Sequence, residues 1–292
     1  MTTSTSASDS ARPTALVVGG TAGIGRDVAR RLIDEGHDVT IVGRPGGRGS
    51  NTAAEIGARF VGADVSLLSD TGRLADEVLD SMPRIDRLVQ SADVLRRERI
   101  ETSEGFDEAF VTAYLSRVLL VSRLLERLIE SRTRILHVAA AGAPGRLRAD
   151  GIPPGPETRA FVAHARAQAA NDVFGLELAA RLADTGVRVH VANPGAADTG
   201  IRSEMEQKLV GRIVSRLFSS VMTLRSADDV AGILLDAAER YPTDVLITVP
   251  GRPVRLRSGH HDLARRREVW DASVAAAGAR FDALDPLPSS AG

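Results

Sequence analysis

Three glycines follow a short apolar stretch at the spacing of a phosphate-binding turn. Gly19, Gly23 and Gly25 form the pattern Gly-x-x-x-Gly-x-Gly between Val17-Val18 and a predicted helix. Glycine permits backbone angles that a Cβ would forbid, and a pyrophosphate can then approach the free N–H groups at the helix N-terminus, where the helix dipole favours negative charge. The pattern therefore predicts a dinucleotide site, although a tight strand-to-helix turn would also fit glycines alone.

Arg44 bears on which dinucleotide would bind. It follows the second predicted strand, at a point where dinucleotide-binding folds usually carry an acidic residue that accepts hydrogen bonds from ribose hydroxyls. A guanidinium can instead bind a 2′-phosphate through two parallel hydrogen bonds, which favours NADP(H) over NAD(H). A solvated loop arginine is the alternative, and Arg48 in the same Gly-rich turn could serve the same purpose.

The elements that must position these residues alternate along the chain. The sequence predicts strands over 14–18, 38–43, 59–61, 87–90, 134–139, 187–192 and 245–249, with helices over 24–35, 67–79, 104–129 and 158–182. Mostly apolar strands separated by helices indicate a parallel sheet covered on both faces. The predicted fold class is α/β, a doubly wound parallel sheet (Rossmann fold) in a single domain over 14–280, between a disordered leader (1–13) and a disordered tail (281–292).

Composition narrows the classes of function. The 292 residues carry a formal net charge of −1, only 3% are aromatic and none is cysteine. These values disfavour a nucleic-acid surface, a disulfide framework and a thiolate metal site. The leader lacks the apolar core of a signal peptide, and no apolar run is long enough to span a membrane. We expect a cytoplasmic protein with a small-molecule substrate, no metal, no nucleic acid and no membrane partner.

Together the motifs resemble the short-chain dehydrogenase/reductase family over about residues 14–276. The resemblance is carried by the glycine pattern, Asp64-Val65, Ile85-Asp86 and Asn193-Pro194-Gly195 with Thr199. It is nearest to the retinol-dehydrogenase-like and protochlorophyllide-reductase-like branch, because Ala170-Asn171 lies in the long helix and residues 267–273 resemble that branch's C-terminal helix.

The resemblance implies a set of cofactor contacts. Gly19, Gly23 and Gly25 would cradle the pyrophosphate, with Thr21 and Ile24 in the same turn. Arg44 would hold the 2′-phosphate and Asp64 would accept from the adenine amino group. Pro194, Gly195 and Thr199 would flank the nicotinamide. From the residues alone, Asp64 could equally cap a helix, and Pro194-Gly195 could be an ordinary strand-ending turn.

The catalytic residues of the family are missing. Its members use a Tyr-x-x-x-Lys pair, a serine and an asparagine, and alignment through Ala170-Asn171 places His164, Gln168, Ala140 and Ala113 at those positions. The one lysine is Lys208 and the two tyrosines are Tyr114 and Tyr241, so no such pair exists anywhere in the chain. The family's Asn-Asn-Ala-Gly after the fourth strand is also altered, to Gln90-Ser91-Ala92-Asp93.

His164 is the candidate replacement for the tyrosine, because imidazole titrates near neutrality and serves as acid or base. Gln168, one helical turn later on the same face, could bond ribose hydroxyls. Alternatively, His164 is only a polar residue on a helix that no longer has a catalytic role. The remaining candidates are expected to have structural roles. Packing is expected for His137, His190 and Tyr114, and solvation for His260-His261.

Three hypotheses remain open from the sequence. The first is an atypical NADP(H)-dependent oxidoreductase acting on a small, apolar carbonyl or alcohol, with His164 in the tyrosine's role. The second is a non-redox enzyme, a dehydratase or cyclase, on the same scaffold. The third is a non-catalytic subunit that partners an active relative. The intact glycine turn favours the first two, and we expect an enzyme with divergent catalytic residues.

Two further stretches bear on substrate and assembly. Residues 198–225 carry apolar side chains at helical spacing, which the resemblance implies is a substrate lid, although this segment could equally cover the sheet. Family members dimerise through the two long helices, predicted here over 104–129 and 158–182. We therefore expect a homo-oligomer, or a hetero-oligomer with an active relative.

Overall fold

The computed structural model describes residues 12–142, 147–195, 225–243, 246–249, 251–256, 258–282 and 284. The strands are β1 (Thr14–Val18), β2 (Asp38–Gly43), β3 (Arg59–Gly62), β4 (Arg87–Gln90), β5 (Arg134–Val138), β6 (Arg188–Asn193), β7 (Leu246–Thr248) and β8 (Arg252–Pro253). The helices are α1 (Gly23–Asp34), α2 (Gly49–Ile56), α3 (Leu68–Ser81), α4 (Glu108–Phe110), α5 (Ser116–Glu130), α6 (Ala160–Arg181), α7 (Ala227–Arg240), α8 (Ser258–His261) and α9 (Leu263–Ala277). A π-helical turn, Val111–Leu115, joins α4 to α5.

The strands form one sheet in the order β3-β2-β1-β4-β5-β6-β7-β8. Every pairing is parallel except that of β7 with β8. The doubly wound parallel fold predicted from the sequence is confirmed. The strand order reverses at β1, which pairs with β2 on one side and β4 on the other, and ligands of such sheets bind at this switch point, beyond the carboxyl ends of the strands.

The central strands are covered on both faces, which explains why they are mostly apolar. One hydrophobic cluster lies between the sheet and helices α3, α5, α6 and α9. A second cluster packs α1 and α7 on the opposite face. Within the described ranges, no helix combines the length and the hydrophobicity needed to cross a membrane.

The helix predicted over 104–129 begins later than its sequence suggests. Residues before α4 form a loop closed by a bridge between Glu101 and Asp107, and the Asp107 side chain caps α4 by accepting from the Phe110 N–H at 2.9 Å. Glu104 is not part of the helix predicted over 104–129. Its carboxylate accepts from the backbone N–H groups of Leu68 (2.6 Å) and Ser69 (2.9 Å), and so caps α3.

Both predicted ends of the domain need correction. Asp38 donates its backbone N–H to the Pro13 carbonyl at 2.8 Å, so the ordered chain already includes residue 13. Phe281 and Leu284, assigned from sequence to a tail, pack on the larger hydrophobic cluster, and Phe281 lies against the Trp270 ring at a centroid distance of 4.7 Å. The packed part of the chain therefore extends at least to Leu284.

Candidate functional site

A cleft of about 650 Å³ opens at the carboxyl ends of the central strands. Most of the site residues predicted from the sequence line this cleft. Those that line it are Gly19, Thr21, Gly23, Ile24, Arg44, Asp64, His164, Gln168, Pro194 and Gly195. Thr199 and all but the last residue of the predicted lid over 198–225 lie outside the described residues. The sequence motifs, distant along the chain, thus converge on one surface.

The glycine turn leaves no space for side chains. Gly19 has φ = +84°, and a Cβ there would lie 2.5 Å from the Ala92 backbone nitrogen. Gly25 does not line the cleft, but its Cβ would lie 2.3 Å from the Gly19 carbonyl oxygen, so it permits the close approach of α1 to the turn. The residue before α1, Ala22, provides no side-chain cap. The backbone N–H groups at the start of α1 are therefore not capped by that residue, and an anion could approach them.

The next part of the cleft could receive an adenosine ribose and its substituents. Arg44 and Arg48 are both exposed there, between β2 and α2. Asp64 follows β3, and its Oδ1 accepts from the Ser66 backbone N–H (3.0 Å) and from the Ser66 hydroxyl (2.7 Å). Asp64 therefore stabilises a local turn, whereas the capping of α3 belongs to Glu104.

The opposite wall of the cleft is formed at the end of β6 by Asn193-Pro194-Gly195. The Asn193 side chain donates to the Ala141 carbonyl at 3.2 Å and accepts from the Gly195 N–H at 2.9 Å. Gly195 has φ = +68°, in the left-handed region that favours glycine. Pro194-Gly195 is thus a strand-ending turn that also lines the cleft.

The side chains of Asp93, His164 and Gln168 meet at the centre of the cleft. Nε2 of His164 lies 2.9 Å from Oδ1 and 3.2 Å from Oδ2 of Asp93. Nε2 of Gln168 donates to Oδ2 of Asp93 at 3.1 Å. The His164 side chain is 16% exposed and that of Asp93 is 24% exposed. The pair is shielded from solvent but still accessible from the cleft.

One backbone contact sets the orientation of the Gln168 amide. Its Oε1 accepts from the Ala140 N–H at 2.7 Å, which directs the NH₂ group to Asp93. Nε2 of Gln168 also lies 3.0 Å from Nε2 of His164. A carboxylate can only accept, so Nε2 of His164 is the donor in its contact with Asp93. Gln168 was predicted to bond ribose hydroxyls, but both ends of its amide are already engaged within the protein.

Asp93 is held in its ionised form. Burial alone would raise the pKa of its carboxyl, but the hydrogen bond and charge of His164, the charge of Arg117 and the Val94 N–H together keep that pKa below its ordinary value of 3.8. In the sequence, Asp93 stands out only as a departure from the family's pattern. Its position at the end of β4, beside the switch point, was the available signal for a functional carboxylate.

Alanines occupy the positions of the family's serine and asparagine. Ala140, at the serine position, contributes only its backbone N–H, which binds Gln168. Ala113, at the asparagine position, lies in the π-helical turn, and its carbonyl accepts from Nδ2 of Asn171 at 2.9 Å. Neither alanine carries a side-chain donor, so a replacement for the missing groups must come from another position.

The remaining candidates have structural roles. Tyr114 is fully buried, and its hydroxyl lies 2.5 Å from the Ser273 hydroxyl. His137 is buried in β5, and His190 lies 3.0 Å from the Pro242 carbonyl through Nε2. These packing predictions are confirmed. The prediction for His260 is wrong, because its side chain is only 11% exposed and pairs with Asp172 at 3.5 Å.

Among the described residues, no group of three or more histidine, aspartate and glutamate side chains could hold a metal ion. The strand order, the glycine turn and the cleft at the switch point define a dinucleotide-binding α/β protein. A sequence model of the short chain dehydrogenase family matches residues 13–210. The chain belongs to this family, whose members bind a nicotinamide dinucleotide, and to its retinol-dehydrogenase-like branch.

Relatives and solved structures agree with this assignment. Retinol dehydrogenase 12 of Mus musculus is 30% identical over 215 residues, which cover 70% of this chain and 68% of the relative. An uncharacterized oxidoreductase of Saccharomyces cerevisiae is 28% identical over 86% of this chain and 79% of its own. The Pseudomonas aeruginosa RhlG/NADP active-site complex has a TM-score of 0.66 at 21% identity, covering 85% of this chain and 96% of its own, and shares the fold.

Proposed function

We propose that this protein is an NADP(H)-dependent oxidoreductase that acts on a small, apolar carbonyl or alcohol, with His164 in place of the family's tyrosine. One observation carries the proposal: the hydrogen-bonded Asp93–His164 pair lies in the same cleft as the glycine turn. A nucleotide site alone would fit a binding protein. An acid–base pair beside it supports a reaction.

The nicotinamide, when bound, supplies or accepts the hydride. His164 handles the proton. In carbonyl reduction, Nδ1 of the imidazolium gives its proton to the substrate oxygen and the ring becomes neutral; in alcohol oxidation, the same atom takes the proton. Asp93 orients the ring through its contact with Nε2. Gln168 fixes the carboxylate in turn, through its NH₂ group.

The proposed preference for NADP(H) rests on the two arginines at the ribose end. Arg44 follows β2 directly, and Arg48 immediately precedes α2. Both are exposed and line the cleft, so a 2′-phosphate could bind guanidinium groups without displacing a partner inside the protein core. Two cations at this position would attract the additional phosphate of NADP(H).

The walls near Asp93 favour a neutral, apolar substrate. Val94 and Leu95 line the cleft beside the carboxylate. Arg96 and Glu108 also line it, but they bind each other through two hydrogen bonds of 2.7 and 2.9 Å and so offset each other's charge. The name of the mouse relative, a retinol dehydrogenase, supports a substrate of the alcohol or carbonyl class.

The cofactor half of the proposal is tested by calorimetry. We expect NADPH to bind wild-type protein in the micromolar range and more tightly than NADH. Arg44→Ala should weaken NADPH binding roughly 10- to 100-fold, because a hydrogen bond to a charged group contributes about 1.5–3 kcal/mol, and should leave NADH binding unchanged. Arg48→Ala measures the contribution of the second arginine, which lines the same end of the cleft. A loss confined to Arg48→Ala would contradict the role of Arg44, and no binding of either nucleotide would contradict the oxidoreductase.

The catalytic half is tested by turnover with a panel of apolar aldehydes, ketones and alcohols, followed through NADPH absorbance. His164→Ala should lower kcat by roughly 10²- to 10⁴-fold while NADPH affinity stays unchanged. His261→Gln, an exposed histidine in α8, is the control and should leave kcat unaltered.

Other outcomes of the turnover assay separate the competing functions. Unchanged turnover of His164→Ala would contradict the proposed role of this residue. Product formation without any change in NADPH absorbance would favour the dehydratase or cyclase. Protein that is inert alone and restores activity to a purified relative would favour the non-catalytic subunit.

A further inference from the structure

Arg117 is a charged side chain buried in the core beneath the candidate site. It lies near the start of α5 and is only 2% exposed. Its Nη2 donates to the Ala92 carbonyl at 3.0 Å, and its Nη1 donates to Oδ1 of Asn171 at 3.2 Å. Burying a guanidinium is costly unless a negative charge compensates it, so the position of Arg117 requires an electrostatic explanation.

A negative charge that acts on Arg117 is that of Asp93, the residue after Ala92. The bond to the Ala92 carbonyl places the guanidinium next to the residue that follows, and the two charges act on each other. Arg117 contributes to the low pKa of Asp93. Burial lowers the pKa of Arg117 to about 10, while Asp93 opposes this change, so Arg117 stays cationic at neutral pH.

Two described polar side chains on this side of the sheet, His137 and Gln90, carry no charge at neutral pH. His137 of β5 is fully buried on the same side of the sheet, and burial, assisted by the charge of Arg117, lowers its pKa to about 3. Gln90 lies opposite His137 in the strand register and is neutral. The charges of His164 from α6 and of Arg117 from α5 both lower the pKa of Asp93. Asp93 therefore lies between two groups that both favour its ionised form.

We propose that Arg117 is a positioning residue, whose buried charge holds Asp93 as a carboxylate from below so that Asp93 can orient the His164 ring. The family's lysine position is occupied by the uncharged Gln168, so the fixed cation of this site comes from α5 instead. The part of this inference that concerns His164 rests on the proposed function. The effect of Arg117 on Asp93 does not.

The matched variants are Arg117→Lys, which keeps the charge, and Arg117→Met, which has similar length without it. The first measurement is the titration of the Asp93 carboxyl by ¹³C NMR, assigned by comparison with Asp93→Asn. We expect the midpoint to rise by roughly one pH unit in Arg117→Met, because a nearby opposite charge typically lowers a carboxyl pKa by 1–3 units. Arg117→Lys should restore much of the wild-type midpoint.

The second measurement is the pH dependence of kcat/KM. Its acidic limb should move to higher pH in Arg117→Met, in parallel with the Asp93 titration, and return in Arg117→Lys. In the Asp93→Asn background, Arg117→Met should change kcat/KM by less than twofold, since the residue acts through the missing carboxylate. A merely structural role would lower thermal stability in both backgrounds without moving either pH midpoint.

The two proposals can fail separately. An Asp93 titration identical in wild type, Arg117→Lys and Arg117→Met would overturn this inference whatever the protein catalyses. A shifted Asp93 titration in a protein with no NADPH-dependent turnover would support the inference and contradict the proposed reaction. If Arg117→Met does not fold, Arg117→Gln retains a donor for the Ala92 carbonyl and gives the same comparison against Arg117→Lys.

Discussion

The substitutions in the site are chemically consistent with one another. A tyrosine acid starts neutral and ends as an anion, so a neighbouring cation such as the family's lysine assists it. A histidine acid starts as a cation and ends neutral, so a neighbouring anion is the matching partner. Here His164 has the carboxylate of Asp93 at 2.9 Å, and the lysine position is the uncharged Gln168. Both neighbours therefore fit the proposed use of His164 as the acid.

His137 makes the stability of the protein dependent on pH. Burial, and after it the charge of Arg117, lowers the pKa of this histidine from 6.5 to about 3 in the folded state. Above pH 6.5 neither state binds the proton. Below it, the unfolded chain binds a proton that the folded protein does not, and the free energy of unfolding falls by about 1.4 kcal/mol per pH unit until the folded pKa is reached.

We therefore expect His137→Leu to protect the protein at mildly acidic pH. Within the described part of the chain both ring nitrogens of His137 are buried without a hydrogen-bond partner, so leucine leaves no donor or acceptor unpaired. Between pH 7 and pH 5 the variant should gain about 2 kcal/mol relative to wild type, measured by urea unfolding at each pH. The exposed His261→Gln should follow the wild type. Parallel losses in wild type and His137→Leu would contradict the assignment.

At the level of secondary structure, patterns local in sequence could be predicted and partnerships between distant segments could not. The seven predicted strands and the glycine turn depend on hydrophobicity and on glycine spacing, and the structure contains them. The start of the helix predicted at 104 was wrong, because Glu104 binds the N-terminus of α3, more than 30 residues earlier in the chain. The short helix α2, which opens with Gly49-Ser50-Asn51, has too weak a helical pattern to be predicted.

The candidate site likewise contains residues that local sequence patterns predict and residues that they do not. The glycines and Arg44 are recognisable because each lies at a fixed offset from a strand end. Asp93 was missed because its partner His164 is 71 residues away, and only the sheet order brings the end of β4 beside α6. Arg117 was missed because a helical arginine is normally solvated, and nothing in its local sequence indicates that it is buried.

Across the whole molecule, α9 covers the helix pair through which family members dimerise. The Trp270 ring of α9 stacks on Phe174 of α6 at 5.2 Å, and Ser273 lies against Tyr114. Beyond α9, the Arg280 carbonyl accepts from the Ser122 hydroxyl of α5 at 2.6 Å. The apolar faces of α5 and α6 are thus buried within one chain. They are not exposed for the homo-oligomer contact that the sequence predicts through this helix pair.

The exposed side chains of α5 are all charged. Its exposed residues are Arg123, Glu126 and Glu130. Along α6, the fully exposed positions are confined to Phe161 and Val162 in the first turn, and the middle of the helix, from Ala167 to Ala179, is buried. An isologous helix interface needs a continuous apolar stripe on both partners, and the described residues of α5 and α6 offer none to solvent.

We therefore expect that this protein does not dimerise through α5 and α6. The test is the double variant Glu126→Arg/Glu130→Arg, which reverses two exposed charges on α5 without touching the core. Light scattering after size exclusion, over about 1 to 100 µM protein, should give the same mass for variant and wild type, because solvent-exposed charges far from an interface contribute little to association. A wild-type dimer that the double variant dissociates would show that α5 forms the interface after all. A wild-type oligomer of unchanged mass in the variant would instead place the contact on another face of the fold, consistent with the covering of this one by α9.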